Sequence, residues 1–335
     1  MKIAFVVNDI RTEKIDYTTT HLALESIRRR HEIWYINVSD FAYDPDEQVH
    51  AIAYQPPEKL YDSTQALLAD VQSDQAIVKR ITVDKIDVMM LRNDPTEDFH
   101  LRPWARLAGI NFGRLALRHG VIVLNSPDGL NHAVNKTYLE YFPKQVRPRS
   151  LITRDKNDIR KFAEAEGGSI VIKPLVGSGG RNVFLIRPED ASNFNQMVEA
   201  VLQDGYVIAQ EYLPQAIEGD TRLLLLNGEI LRHEGQIAAI RRRRSMGDMR
   251  SNMSAGGTRA RAEVTDTMIR LAEEVGPRLI NDGIFLAGLD IVGDKIMEIN
   301  VFSPGALYGA SEVSGVNFMA PVIAALEDKA NRRNQ

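Results

Sequence analysis

Cysteine is absent from the 335 residues, and with it go disulfides, thiolate nucleophiles, CxxC redox pairs and zinc–thiolate centres. No apolar run approaches the roughly eighteen residues of a membrane span, and no stretch matches a Walker A loop. Neither sign of charge dominates: 41 Lys and Arg stand against 45 Asp and Glu, a net of −4. That balance leaves no global positive field for a phosphate backbone or an anionic membrane, so neither nucleic acid nor membrane is expected as a partner. The opening MKIAFVVNDI runs into Asn8 and Asp9 without a small-residue cleavage site, which reads as a buried strand rather than a signal peptide and makes the cytoplasm the expected compartment. The N-x-S/T triplets at Asn37, Asn135 and Asn252 are then chance matches. What remains is globular material, 44% hydrophobic and 26% charged with 23 Gly and 14 Pro, long enough for two or three domains.

Up to about residue 125 short β-branched runs (KIAFVV, EIWYINV, DVMMLR, VIVLN) alternate with helical patterns near Thr20 to Arg30 and in LRPWARLAGINFGRLALRHG. Such alternation argues for an open parallel α/β sheet, whose strand ends are the usual ligand positions. Asn8 and Asp9, Arg92 to Asp94 and Asn125 to Pro127 fall there, and each reads equally well as a strand cap or turn. A break is placed at 125/126, with Asn131 as a candidate cap for the next helix. A small α+β unit follows over 126–211, and 212–335 forms a third. That last unit holds hairpins at Asn227-Gly228 and Gly293-Asp294.

Several groups could carry chemistry. Lys173 ends a strand and is followed by Gly177, Ser178, Gly179 and Gly180, a loop whose backbone N–H groups can approach phosphate without Cβ obstruction. Alone, such a loop is more often a plain hairpin connection. Asp290, Glu298 and Asn300 lie at even offsets on the second hairpin, so three hard oxygen ligands can converge on one face, as Mg²⁺ held together with phosphate requires; a solvated outer face is the other reading. Gln210, Glu211, Tyr212 and Leu213 end a strand where backbone groups can read an adenine edge. Asp220 and Arg222 open the next strand, where Arg222 can neutralise phosphate bidentately, and Lys136 offers a further cation on a helix. The run Arg241 to Arg244, continued to Gly257, reads either as a basic nucleic-acid contact or as a lid over 241–257 that closes on a polyanionic intermediate.

In this order the motifs LRNDP, LNSP, IKPLVGSGG, AQEYLP, GDTR, SNMSAGG and GLDIVGDKIMEINVFSP span nearly the whole chain. The chain resembles the ATP-grasp superfamily, and within it the prokaryotic glutathione synthetases. The resemblance implies an ATP-grasp fold preceded by the N-terminal α/β domain, and an ATP-dependent carboxylate–amine ligase joining γ-glutamylcysteine to glycine through an acylphosphate. By the same resemblance Lys136, Lys173 and the glycine loop would hold the nucleotide phosphates, Gln210 to Leu213 the adenine, and Asp220 the ribose. Arg222 would sit by the transferred phosphoryl group, with Arg250 and Asn252 in the lid. Asp290, Glu298 and Asn300 would hold Mg²⁺ or Mn²⁺. Asp9, Arg92 and Ser126, with Gly256 and Gly257, would line the substrate side, and a homo-oligomer is implied. One segment departs: Gly305 to Ser311 reads GALYGAS where enterobacterial members carry isoleucine-arginine-glutamate. A ligase for a different amine or γ-glutamyl-type peptide, and a non-catalytic nucleotide-binding regulator, are the alternatives.

Overall fold

The computed structural model describes residues 1–177, 179–243 and 258–333. The first sheet has six strands: β1 (Lys2–Val7), β2 (Glu32–Tyr43), β3 (Val49–Gln55), β4 (Ile77–Thr82), β5 (Val88–Leu91) and β6 (Ile122–Leu124). Their order is β4-β3-β2-β1-β5-β6. The four strands β2, β1, β5 and β6 pair in parallel, and Ile3 to Val7 at the centre are fully buried, as a strand covered on both faces requires. The sequence reading of an open parallel sheet therefore holds for these four. On the other side of β2, β3 and the edge strand β4 are added antiparallel. α1 (Thr18–Arg28), α2 (Thr64–Val71) and α3 (Ala108–Arg118) flank the sheet.

α4 (Pro127–His132) begins with Pro127 at its first turn and Ser126 as its cap, so Asn131 lies inside this helix rather than capping one. Asn135 caps the 3₁₀ helix Lys136–Tyr141 instead. The second sheet is antiparallel, ordered β7-β10-β8-β9, with β7 (Ser150–Thr153), β8 (Ile170–Pro174), β9 (Phe184–Ile186) and β10 (Val207–Glu211). α5 (Lys156–Ala165), capped by Asp155, and α6 (Phe194–Leu202) close one core of their own with it around Ile159, Ile172 and Val198.

The third sheet runs β16-β15-β11-β17-β18, with β11 (Asp220–Leu226), β15 (Ala239–Arg243), β16 (Thr258–Arg261), β17 (Leu286–Val292) and β18 (Lys295–Asn300). β12 (Glu229–Ile230) returns on β11 through Asn227 and Gly228, both at positive φ (51° and 77°), the type I′ geometry that this dipeptide favours. β13 (Arg232–His233) and β14 (Gln236–Ile237) form a small ribbon. α7 (Asp266–Asn281) packs on the sheet, and the chain ends in α8 (Leu307–Ser314) and α9 (Met319–Arg333). These last helices turn back to the first sheet: Phe318, Val322, Ile323 and Leu326 share a core with Ile3, Phe5 and Leu22. Asn125 fastens the two sheets directly. Its side chain accepts from the amides of Phe285 and Leu286 at 2.8 and 2.9 Å and donates to the carbonyls of Leu286 and Val301.

Candidate active site

The three sheets face a shared cavity of about 600 Å³. Its floor is β8 and the glycine loop. Gly177, Gly179 and Gly180 have φ of 145°, 67° and 71°, conformations L side chains avoid, so glycine is required there on backbone grounds alone. Lys173 projects from β8 into the cavity; its ammonium donates to Gln210 Oε1 at 3.2 Å and has no carboxylate within 4 Å among the described residues. Surrounded by protein except where it meets the cavity, it is pulled down to about 8 by desolvation. Lys136 opens its 3₁₀ helix beside it, donates to the Gly177 carbonyl and lies 3.7 Å from Glu298.

Opposite stands the hairpin β17–β18, whose turn has positive φ at Gly293 (59°). Register pairs Asp290 with Glu298 and Gly288 with Asn300, and an irregularity follows Asp290. The three predicted oxygen ligands are thus brought to one face, with Asn300 Nδ2 donating to Asp290 Oδ2 at 3.2 Å. On the other side β11 places Arg222 directly against Asp290, and its guanidinium grips the carboxylate bidentately at 2.7 Å on both oxygens. Arg242 of β15 adds a contact at 2.8 Å and also pairs with Asp220, its cross-strand partner. Burial alone would raise the Asp290 carboxyl, but the two guanidiniums overcome it and hold the group far below the usual carboxylate range.

Arg241 to Arg243, read in the sequence as the start of a lid, are strand residues of β15, because the arginines continue the ladder opposite Asp220 and Thr221. Arg242 is accordingly a buried member of the site that the charge run disguised. The remainder of the expected lid, including Arg250, Asn252, Gly256 and Gly257, lies outside the described residues, as does Ser178.

Among the adenine candidates, Gln210, Tyr212 and Leu213 line the cavity. The Glu211 side chain instead accepts from the Arg149 amide at 2.8 Å and pairs with its guanidinium at 2.7 Å, leaving backbone groups as the contacts that this residue can offer. On the side of the first sheet, Arg92 lines the cavity at 5% exposure. Its Nε donates to Thr19 Oγ1 and its Nη2 to the Pro304 carbonyl, each at 3.2 Å, and burial pulls the guanidinium down to about 10. Asn8 is there too, bonded to Asp94 and Asp98. Asp9 and Ser126 do not line it. Asp9 caps the 3₁₀ helix Ile10–Thr12 and pairs with Arg11, and Ser126 caps α4 against Gly283. Sequence reasoning passed over Glu13, Thr18 and Thr19, which do line it; their place just beyond the end of β1 was the available signal.

The model of the prokaryotic glutathione synthetase N-terminal domain matches residues 1–131, and that of the prokaryotic glutathione synthetase ATP-grasp domain matches residues 135–315. The chain belongs to the prokaryotic glutathione synthetase family. Membership makes it an ATP-dependent carboxylate–amine ligase. The glutathione synthetase of Synechococcus elongatus is 32% identical over 99% of this chain and 100% of its own length. That of Nitrosomonas europaea is 30% identical over 100% of both. Solved structures share the fold at lower identity: D-cycloserine synthetase superposes with a TM-score of 0.63 at 16% identity over 97% of this chain and 99% of that one. For the D-alanine–D-alanine ligase of Coxiella burnetii the TM-score is 0.58 at 13% identity, over 100% and 97%. The family's ATP-grasp domain thus covers the half of the chain that builds the glycine loop, the arginine cluster and the β17–β18 hairpin.

Proposed function

We propose that this cavity joins γ-glutamylcysteine to glycine with conversion of ATP to ADP and phosphate. The observation that carries the reading is Lys173: a desolvated ammonium with no carboxylate within 4 Å among the described residues, set beside a glycine loop and across from Asp290, Glu298 and Asn300. Burying an unpaired charge is costly, and a polyphosphate supplies the missing partner. Lys136, Lys173, Gly177, Gly179 and Gly180 hold the phosphates, the backbone of Gln210 to Leu213 holds the adenine, and Asp220 lies on the ribose side. The all-oxygen set Asp290, Glu298 and Asn300 suits a hard divalent cation, Mg²⁺ or in its place Mn²⁺. Such an ion, when bound, neutralises charge on the phosphates. The solved ATP-grasp ligase PsnB, at 17% identity and a TM-score of 0.59 over 98% of each chain, holds Mg and ADP.

A carboxylate oxygen of the acid attacks the γ-phosphorus and the bond to the ADP oxygen breaks. The amine nitrogen then attacks the acyl carbon of the resulting acylphosphate, phosphate leaves, and the amine proton is lost. Arg222, fixed by its two bonds to Asp290, is pre-oriented beside the transferred phosphoryl group, so charge there is stabilised without reorganisation. Arg92 lies on the acid-substrate side. Units 1–125, 126–211 and 212–335, a homo-oligomer and a cytoplasmic setting complete the proposal.

A different amine is the second reading, favoured by the wall at Gly305, Ala306 and Gly309. Small residues line the cavity there, and Arg259 reaches across Gly309, where a Cβ would stand 3.0 Å from its Cδ. ADP release with γ-glutamylcysteine fixed and the amine varied separates the two: fastest release with glycine supports the first, and release with another amine but not glycine supports the second.

A further inference from the structure

One wall of the cavity is built by the first sheet, and Asp94 on that wall borders Lys136 and Glu298. β1 and β5 are parallel neighbours, so the chain leaving each opens at the same edge; Glu13 follows β1 and Arg92 follows β5. Between them α1 presents its N-terminus. Tyr17, at the cap position, makes no side-chain cap bond, and the amides of the first turn have no acceptor within the helix. Thr18 and Thr19 line the cavity, and the buried Thr18 hydroxyl has no hydrogen-bond partner among the described residues. Arg92, fixed by Thr19 and the Pro304 carbonyl, has no carboxylate within 4 Å among the described residues, although it is buried. A helix N-terminus, a buried hydroxyl and a guanidinium that feels the Glu13 charge but has no carboxylate in contact with it together form a seat for one carboxylate.

Glu13 is the complementary group. It lines the same cavity, and among the described residues its one side-chain bond is a long 3.5 Å contact from the Thr20 hydroxyl and no cation lies within 4 Å of it. Glu97 adds a second negative charge to this wall. Desolvation pushes the Glu13 carboxyl up to about 7, opposed by the charge of Arg92 and reinforced by Glu97, as for an acid with no cation in direct contact.

We propose that this wall reads an α-amino-acid head group: Arg92 and the open end of α1 take the α-carboxylate of the γ-glutamyl residue, and Glu13 takes its α-ammonium. This assignment rests on the substrate reading above. It makes Glu13 the residue that distinguishes a γ-glutamyl acid from a plain dicarboxylic amide of the same length, since both present the same carboxylates and only one presents an ammonium.

The test is equilibrium binding by calorimetry, without glycine, of γ-glutamylcysteine and of glutarylcysteine, its analogue lacking the α-amino group, to the full chain and to Glu13→Gln. The unaltered protein should prefer γ-glutamylcysteine by about 30- to 100-fold, the worth of a charge-assisted bond in a desolvated site, and Glu13→Gln should bring the two within about threefold. Melting temperature and ATP affinity of the variant report folding separately. A variant that keeps the full preference overturns the assignment of Glu13 and leaves the substrate reading standing. Tight binding of γ-glutamylcysteine with the expected loss in the variant, but no ADP release on adding glycine and ATP, supports the head-group site and contradicts the proposed reaction. No binding of γ-glutamylcysteine to the unaltered protein overturns both.

Discussion

Asp290 and Glu298 face each other across one hairpin but bear different loads. Asp290 is 5% exposed and is the common partner of Arg222, Arg242 and Asn300, whereas Glu298 is half-buried with Lys136 at 3.7 Å. Asp290→Asn therefore leaves two guanidiniums undercompensated and should cost about 3 kcal/mol in denaturant unfolding. Glu298→Gln should stay within about 0.5 kcal/mol of the parent, as surface changes usually do. Both should reduce ADP release by orders of magnitude, so stability and turnover part company at Glu298 only. Lys173 gives the opposite pattern. In the unfolded chain its ammonium persists to about 10.5, in the folded protein only to about 8. Between those values the unfolded state binds more protons, so this group makes the nucleotide-free protein gain stability as pH rises from about 8 to about 10.5. Lys173→Met should stabilise the nucleotide-free protein at pH 7 by roughly 1–3 kcal/mol, lack that rise, and lose the melting-temperature gain on adding ATP.

Two glycine-bearing turns show how one conformational requirement serves two ends. Gly179 sits in the glycine loop after β8 at φ 67°, whereas Gly228 sits in the β11–β12 turn at φ 77°, where a Cβ would stand 2.5 Å from Ile280 and 2.8 Å from the Gly276 carbonyl. Gly228→Ala should lower stability by about 2–4 kcal/mol with the KM for ATP unchanged, and Gly179→Ala should raise that KM about tenfold with little change in melting temperature. Both turns were legible in sequence because Asn and Gly tolerate the positive φ that such turns require, which most residues do not. The even spacing of Asp290, Glu298 and Asn300 was legible for a similar reason, as alternation along a strand is fixed. The arginine run was not: Arg241 to Arg243 become strand because β11 lies beside them, and the bond of Arg222 to Asp290 depends on the register of strands more than sixty residues apart in sequence. Asp9 and Ser126 sit at strand ends as expected, yet spend their oxygens on local caps. Glu13 escaped notice because its burial comes from packing that no local pattern records.

At the scale of the whole molecule, the first and third sheets are sewn together while the second keeps its own core. Asn125 is the stitch, with four bonds to backbone groups of Phe285, Leu286 and Val301. Replacing it with Ala orphans those buried groups and should cost about 3–5 kcal/mol in unfolding, with the KM for ATP within twofold because no cavity residue is lost. This arrangement holds the wall of the first sheet, proposed to take the acid substrate, in fixed relation to the hairpin of the third, across the space where a carboxylate would meet a γ-phosphate. Transfer of that phosphoryl group to the acid is the central claim, and oxygen-18 tests it most directly. With the cysteinyl carboxylate of γ-glutamylcysteine labelled in both oxygens, and glycine and ATP added, the phosphate released should carry one labelled oxygen per molecule, because the attacking carboxylate oxygen leaves with phosphorus. Unlabelled phosphate accompanying amide formation would contradict the account.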